Sequence, residues 1–153
     1  MSAVLLAMLL QSTSISGGLA APKGIAGPTT AKVVLLPLEY ARLFNAETQE
    51  RLDQYWEDSK LFPVPKDLFL RVRPRAYSSA LDVVLLRMQQ DNRINLANLI
   101  KTAPNGQFEF RGVLPGEYKL VATASIKGTD YVWTETLQVE STPVFLQMKT
   151  HVP

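Results

Sequence analysis

The chain contains few side chains of the types that carry out catalysis, and their spacing matches none of the common active sites. Its only histidine, His151, lies near the C-terminus, where a chain is usually frayed. A serine hydrolase needs such a base beside its nucleophile. Asp53, Glu57 and Asp58 could act as paired carboxylates on a sugar, but they share a predicted helix with basic residues, which favours a solvated, salt-paired surface. We therefore predict no catalytic residues and a protein that is not an enzyme.

Metal and cofactor sites are also not indicated. The chain has no cysteine, which excludes thiolate zinc sites and disulfide bonds. It contains no Asp-x-Asp-x-Asp-Gly run for calcium. The pair Gly17-Gly18 lacks the spacing and the flanking elements of a phosphate-binding loop. We predict no metal ligands and no cofactor.

Aromatic residues are the remaining candidates for ligand binding. Strand alternation places Tyr131 and Trp133 on one face, where they could stack on a sugar ring, although core packing is the favoured interpretation. Tyr55 and Trp56 lie in a predicted helix. They either seal this helix onto the rest of the fold or present a patch to a partner.

Charge gives no indication of a polyanionic partner. The 16 basic and 14 acidic residues leave a formal net charge of +2. Nucleic-acid binding needs basic residues concentrated on one face. The nearest cluster, Arg71, Arg73 and Arg75, is more typical of a solvated strand or helix face. We predict that the protein does not bind nucleic acid.

The N-terminus predicts export. Ala3 to Leu10 is an unbroken apolar run followed by small and polar residues. This order resembles a secretory signal peptide, and the apolar run is too short to span a bilayer. Residues 1–13 are therefore predicted to be a signal peptide, with an apolar strand or a mis-assigned start codon as the alternative. Ser14 to Gly17 also fits a first β-strand of the domain. We predict an extracytoplasmic location (periplasmic, cell-surface or secreted) and no transmembrane span.

Helical periodicity dominates the middle of the chain. Glycine and proline in Gly17 to Pro28 predict a loop, and Ala31 to Leu36 predicts a strand with at least one buried face. From Leu38 to Lys60, aromatic residues recur at helical spacing, with Asn45 as a candidate cap of a second helical segment. A further helix is predicted from about Ser78 to Gln90.

That further helix is also expected to have a helical stretch before it. Much of Asp67 to Arg73 is predicted to be helical, with Pro74 as a kink or first-turn residue. Ser78 or Ser79 is a candidate N-cap. These segments predict an antiparallel helical hairpin inserted between strands.

The C-terminal third returns to a period of two. Asn105-Gly106 predicts a tight hairpin turn, Gly112 to Gly116 a second turn, and Lys127 to Asp130 a third. Short strands at even spacing between turns are typical of an antiparallel β-sandwich.

The residues Pro104-Asn105-Gly106-Gln107-Phe108-Glu109-Phe110, followed by Gly112-Val113-Leu114-Pro115-Gly116-Glu117-Tyr118-Lys119-Leu120-Val121-Ala122, resemble the carboxypeptidase regulatory-like domain. This domain is a prealbumin-like sandwich that is similar to collagen-adhesin B-type repeats and is often grouped with carbohydrate-binding-like folds. The resemblance covers Leu99 to Met148 well and Ile15 to Leu36 weakly. It implies a Greek-key-like fold but says little about function. The departure from the family pattern is the long insertion in the middle of the chain.

The sequence thus predicts one mainly β domain over residues 14–153, a Greek-key-like antiparallel sandwich that carries a helical insertion at 38–98. We expect a non-catalytic bacterial module for protein interaction or scaffolding, whose helical hairpin contacts another protein of the cell envelope. One alternative is a carbohydrate-binding module that uses Tyr131 and Trp133. Another is that the chain is the N-terminal fragment of a larger surface or outer-membrane protein.

Overall fold

A computed structural model describes residues 11–25, 30–61, 66–92 and 98–149. Within them lie seven strands and two helices. The strands are β1 (Thr13–Leu19), β2 (Ala31–Pro37), β3 (Ile100–Ala103), β4 (Gln107–Val113), β5 (Gly116–Ile126), β6 (Thr129–Val139) and β7 (Val144–Met148). The helices are α1 (Leu38–Leu61) and α2 (Lys66–Asp91). They lie between β2 and β3, so the mainly β sandwich with a helical insertion is confirmed.

The strands form two sheets. One has the order β4-β1-β7 and the other the order β3-β2-β5-β6. All pairs are antiparallel except β1 and β7, which run parallel. The predicted antiparallel arrangement is therefore wrong for one pair of strands, β1 and β7. β7 enters from the opposite sheet, so no tight hairpin turn forces it to run against its neighbour.

The first core lies between the two sheets. β1 contributes Ile15, β4 contributes Phe108 and Phe110, and the four-stranded sheet contributes Leu120 and Trp133. The Phe108 and Phe110 rings lie 6.0 Å apart between centroids. The predicted alternation of these strands is confirmed, because side chains two residues apart share a face.

A second core lies on the other side of the four-stranded sheet, beneath the helices. Val34, Leu36, Val121 and Val132 cover this side, and the buried residues of the helices pack on them. Those helical residues are Tyr40, Ala41, Phe44, Ala80, Leu81, Val84 and Met88. The run Val33 to Leu36 is buried along its whole length because its alternate side chains enter different cores. The protein thus has three layers: the three-stranded sheet, the four-stranded sheet and the helices.

The helices pack against each other as a hairpin, but two of their predicted boundaries were wrong. The Tyr40 hydroxyl near the start of α1 donates to Asp91 at the end of α2, at 2.7 Å. α2 runs without a break through Pro74, so the predicted start near Ser78 was wrong, whereas the predicted helical stretch over Asp67 to Arg73 is confirmed. Ala76 is buried, and Ala80, Leu81 and Val84 pack against the sheet. This packing offsets the cost of the proline. Asn45 lies inside α1 and caps no second segment.

The predicted loop at Gly17 to Pro28 was wrong at its beginning. Gly17 and Gly18 lie in β1, the central strand of its sheet. A Cβ atom on Gly17 would overlap the carbonyl oxygen of Leu146 in β7. Glycine therefore allows β7 to approach the central strand this closely.

The Asn-Gly turn has the predicted backbone but not the predicted role. Asn105 and Gly106 have φ angles of 59° and 73°. However, β3 and β4 belong to different sheets, so this turn is a crossover and not a hairpin. The hairpin is the third turn, where Lys127 and Gly128, both at positive φ, join β5 to β6.

Most of the predicted signal peptide, residues 1–10, lies outside the described residues. Thr13, at the end of the predicted segment, begins β1. The proline-rich turn after α1, residues 62–65, also lies outside them.

Candidate binding face of the three-stranded sheet

In the described part of the chain, no helix covers the outer face of the three-stranded sheet, because both helices pack on the other sheet. Alternation directs eight side-chain positions of β1, β4 and β7 to this outer face. They are Ser14, Ser16, Gly18, Gln107, Glu109, Arg111, Phe145 and Gln147. We call these eight residues the outer face.

The register places small residues along the middle of the outer face. Ser16 lies opposite Glu109 on one side and Phe145 on the other. Gly18 lies between Gln107 and Gln147. Because the longer side chains stand on the flanking strands, they border a shallow, open depression of about 510 Å³ over the middle strand. It is lined by Ser16, Gly17, Gln107, Phe108, Glu109 and Phe145.

Phe145 is the most exposed large apolar side chain in the described part of the chain. It is 80% exposed, against 59% for Trp56 and 55% for Leu86. An isolated exposed apolar residue is common. Phe145 differs in that it stands beside a depression lined by planar polar groups, which gives a ligand both an apolar surface and hydrogen-bonding partners.

Glu109 and Arg111 supply an ion pair on the opposite side of the depression. The Arg111 Nε atom lies 2.7 Å from Glu109 Oε1. The hydrogen bond and charge of Arg111 lower the pKa of Glu109, and Glu109 raises the pKa of Arg111 in return. Both side chains are thus charged at neutral pH and can contact a polar partner.

The two glutamine amides of the outer face converge above Gly18. An ideal Cβ atom at Gly18 would lie 2.9 Å from Gln107 Nε2 and 3.2 Å from Gln147 Oε1. The absence of a side chain at this position therefore lets one amide donor and one amide acceptor meet over the middle strand. Such a pair can hydrogen-bond a hydroxyl or a peptide group.

The structure separates the aromatic residues that the sequence suggested for ligand binding. Trp133 is 0% exposed in the core between the sheets, and its ring offers no surface to a ligand. Tyr131 is half-buried against the same core, with its ring centroid 6.4 Å from that of Trp133. This placement supports the core-packing interpretation.

The aromatic residues of α1 differ along the helix. Tyr40 and Phe44 are buried against the sheet, whereas Tyr55 is half-buried and Trp56 is exposed. Trp56 stands among polar side chains that pair along the helix. These pairs are Gln49 with Asp53, Gln54 with Asp58, and Lys60 with Glu57. The three carboxylates lie on the solvated surface that was predicted, but only Glu57 is salt-paired, because Asp53 and Asp58 accept from glutamine amides. These polar groups surround Trp56.

The described residues show where the arginine cluster lies and which groups could hold a metal ion. Arg71, Arg73 and Arg75 lie on α2, and Arg75 Nε is 3.6 Å from Asp130 Oδ2. Residues 11–25, 30–61, 66–92 and 98–149 contain no group of three or more side chains placed to hold a metal ion. His151 lies outside these residues.

Lys119 is half-buried between β5 and α1. Its ammonium group donates to Asn45 Oδ1 at 2.6 Å and lies 5.3 Å from the centroid of the Phe44 ring. Burial lowers the pKa of Lys119. A lysine with a lowered pKa can be a nucleophile. The contacts with Asn45 and Phe44 also give Lys119 a structural role, because they link β5 to α1.

This pKa shift predicts a pH dependence of stability. Between the lowered pKa of folded Lys119 and its ordinary value of 10.5, the unfolded chain binds more protons, so the free energy of unfolding rises with pH. We expect Lys119→Met to lose this rise. Urea unfolding of both proteins from neutral pH to just below pH 10 tests it. Tyr118, whose pKa burial raises from 10.0, is present in both proteins, so its contribution to the two slopes is the same. Identical slopes for both proteins would contradict the prediction.

The fold and the outer face define a β-sandwich with one open sheet face and one face covered by helices. No helix within residues 11–25, 30–61, 66–92 and 98–149 is both long and apolar enough to cross a membrane. Comparisons with protein-family models, curated proteins and solved structures find no match. The resemblance to the carboxypeptidase regulatory-like domain therefore remains a prediction.

Proposed function

We propose that the protein is a non-catalytic β-sandwich module that binds another protein through the outer face of its three-stranded sheet. The observation that carries the proposal is Phe145, whose ring is 80% exposed beside a polar depression. Binding energy at protein interfaces concentrates in a few residues, among which aromatic residues and arginine are enriched. The outer face offers Phe145 and Arg111 within a polar surround, which fits this pattern.

The helices offer less exposed apolar surface in one place than a partner-binding site needs. The buried aromatic residues of α1 pack in the second core. Among the described side chains of the helices, the large exposed apolar residues are Trp56, Val83 and Leu86, and Trp56 lies on a different helix from the other two. The helical insertion is therefore proposed as a structural layer, with the binding surface on the opposite side of the molecule.

We further propose that the module acts outside the cytoplasm, with its partner in the cell envelope. The apolar run from Ala3 to Leu10, followed by small residues, supports export. A chain without cysteine needs no particular redox environment.

A carbohydrate ligand is the second candidate, favoured by the amide pair above Gly18. The exposed ring of Phe145 could stack on the apolar side of a sugar ring. The amides of Gln107 and Gln147 and the Glu109–Arg111 pair could then bond its hydroxyls. This site is distinct from the Tyr131 and Trp133 site suggested by the sequence.

We expect Phe145→Ala to abolish capture of the partner while changing the free energy of unfolding by less than about 0.5 kcal/mol, because an exposed side chain makes few contacts within the fold. Affinity capture from the native cell envelope, with the purified chain as bait, measures the first effect. Chemical unfolding measures the second.

The matched control is Trp56→Ala, which removes the other strongly exposed aromatic ring, on α1. Retention of the partner by Trp56→Ala and its loss from Phe145→Ala would support the outer face. The reverse pattern would place binding on the helices. Binding of the wild-type chain to a glycan array, lost in Phe145→Ala, would favour the carbohydrate candidate instead.

A further inference from the structure

The two described sheets have four edge strands, and three of these strands carry charged side chains, which oppose pairing with another strand. Unpaired edges are ready to pair with other chains, and proteins protect them with charges, short strands, bulges and inward-pointing charged residues. β3 has only four residues and includes Lys101. β4 carries Glu109 and Arg111, and its pairing with β1 is irregular near Val113.

β6 is protected by an inward-pointing charge. Glu135 has the same alternation as Trp133 and Leu137, which face the core between the sheets. It is nevertheless exposed, at the rim of the sandwich. A second strand brought against β6 would have to cover this carboxylate.

β7 is also short, with five residues, but it has no bulge and no charged side chain. Its sequence, Val-Phe-Leu-Gln-Met, contains no charge, proline or glycine. β1 pairs with one side of it, and no strand in the described part of the chain pairs with the other. It also carries the exposed ring of Phe145.

The backbone of β7 shows which groups are directed to its free side. The amide of Ala20 donates to the carbonyl oxygen of Met148 at 2.9 Å, so Met148 faces the chain that follows β1. Backbone groups alternate in direction along a strand. Leu146 therefore also faces β1, whereas the N–H and C=O groups of Phe145 and Gln147 are directed to the free side.

We propose that β7 pairs with β7 of a second copy of this chain, in antiparallel orientation about a two-fold axis at Leu146. In this register Phe145 lies opposite Gln147 of the other copy, and the outward N–H and C=O groups of these two residues bond each other twice over. The two three-stranded sheets become one continuous sheet of six strands.

The side chains are compatible with this pairing. No charge lies on β7, so two copies meet without like-charge repulsion. The two Phe145 rings fall on the same face in diagonal positions about 7–8 Å apart at Cα, a spacing that aromatic side chains can bridge. The other edge of the sheet, β4, would place like charges near each other in the same arrangement.

Sedimentation equilibrium of the full chain over a range of concentrations tests the proposal. We expect a concentration-dependent species of twice the 17.0 kDa chain mass. Gln147→Pro removes an outward N–H without removing a bond to β1, and proline is tolerated at such an edge position, so this variant is expected to be monomeric. Phe145→Lys places a charge on the edge and should also be monomeric. Gln107→Lys, at the opposite edge, should remain dimeric.

Three results would overturn the proposal. They are a wild-type chain that is monomeric at every concentration, a dimer that persists in both β7 variants, and a monomeric chain whose β7 pairs only with a different polypeptide. Circular dichroism of each variant confirms that it is folded. Arg111→Ala changes the outer face and leaves β7 intact, so loss of partner binding with a retained dimer separates the proposed function from this proposal.

Discussion

Replacing Trp133 with alanine is expected to lower the free energy of unfolding by about 3–5 kcal/mol, the usual cost of removing a large aromatic side chain from a core. Trp133 is 0% exposed and lies between the two sheets with Ile15, Phe110 and Leu120. Domains of this size are typically stable by only about 5–15 kcal/mol. A large part of the protein's stability therefore depends on this one ring.

The second tryptophan provides the matched control. Trp56 is 59% exposed on α1, and Trp56→Ala is expected to change the free energy of unfolding by less than about 0.5 kcal/mol. Urea unfolding followed by circular dichroism compares the two variants without relying on tryptophan fluorescence. A stable Trp133→Ala protein would show that this ring is not part of the core and would restore it as a candidate for ligand binding.

Phe44→Ala is expected to be destabilising by a similar amount, about 3–5 kcal/mol. The Phe44 ring is 0% exposed beneath α1, where it contacts the Tyr77 ring and the Lys119 ammonium group. Its removal leaves a cavity between the helical layer and the four-stranded sheet. Thermal or chemical unfolding of the full chain measures the loss.

Leu86→Ala serves as the control for Phe44, because it shortens an apolar side chain on the exposed side of α2. We expect it to leave stability nearly unchanged. If Phe44→Ala were as mild as Leu86→Ala, the helices would not be a structural layer. If the layer is structural, removing the helices exposes Val34, Leu36, Val121 and Val132 together, and the isolated sandwich should aggregate.

Local periodicity predicted much of this fold because strands and helices have different spacings of apolar residues. The strands around Phe108 and Tyr118 and the helix that contains Phe44 were all predicted. The positive φ angles at Asn105 and Gly106 followed from the residue types. The pairing of the strands could not be predicted, because a turn sequence does not show whether the next strand stays in the same sheet.

The outer face was missed for a related reason. Val144 to Met148 is too short and too apolar for its alternation to show which side faces a core. Phe145 could be distinguished from Leu146 only after the pairing of β7 with Gly17 and Gly18 was known. Glycine is disfavoured in the interior of a strand, so the sequence predicts a loop at Gly17 and Gly18. In the structure both lie in the central strand, because β7 approaches it too closely for a side chain at Gly17.

Hydroxyl-radical footprinting of the protein with and without its captured partner tests the central claim most directly, because it reports the solvent exposure of individual side chains. Phe145 and Trp56 are both exposed in the free protein and both should react. The proposal predicts that the partner protects Phe145 and leaves Trp56 reactive. Protection of Trp56 with an unchanged Phe145 would contradict it and place the binding surface on the helices.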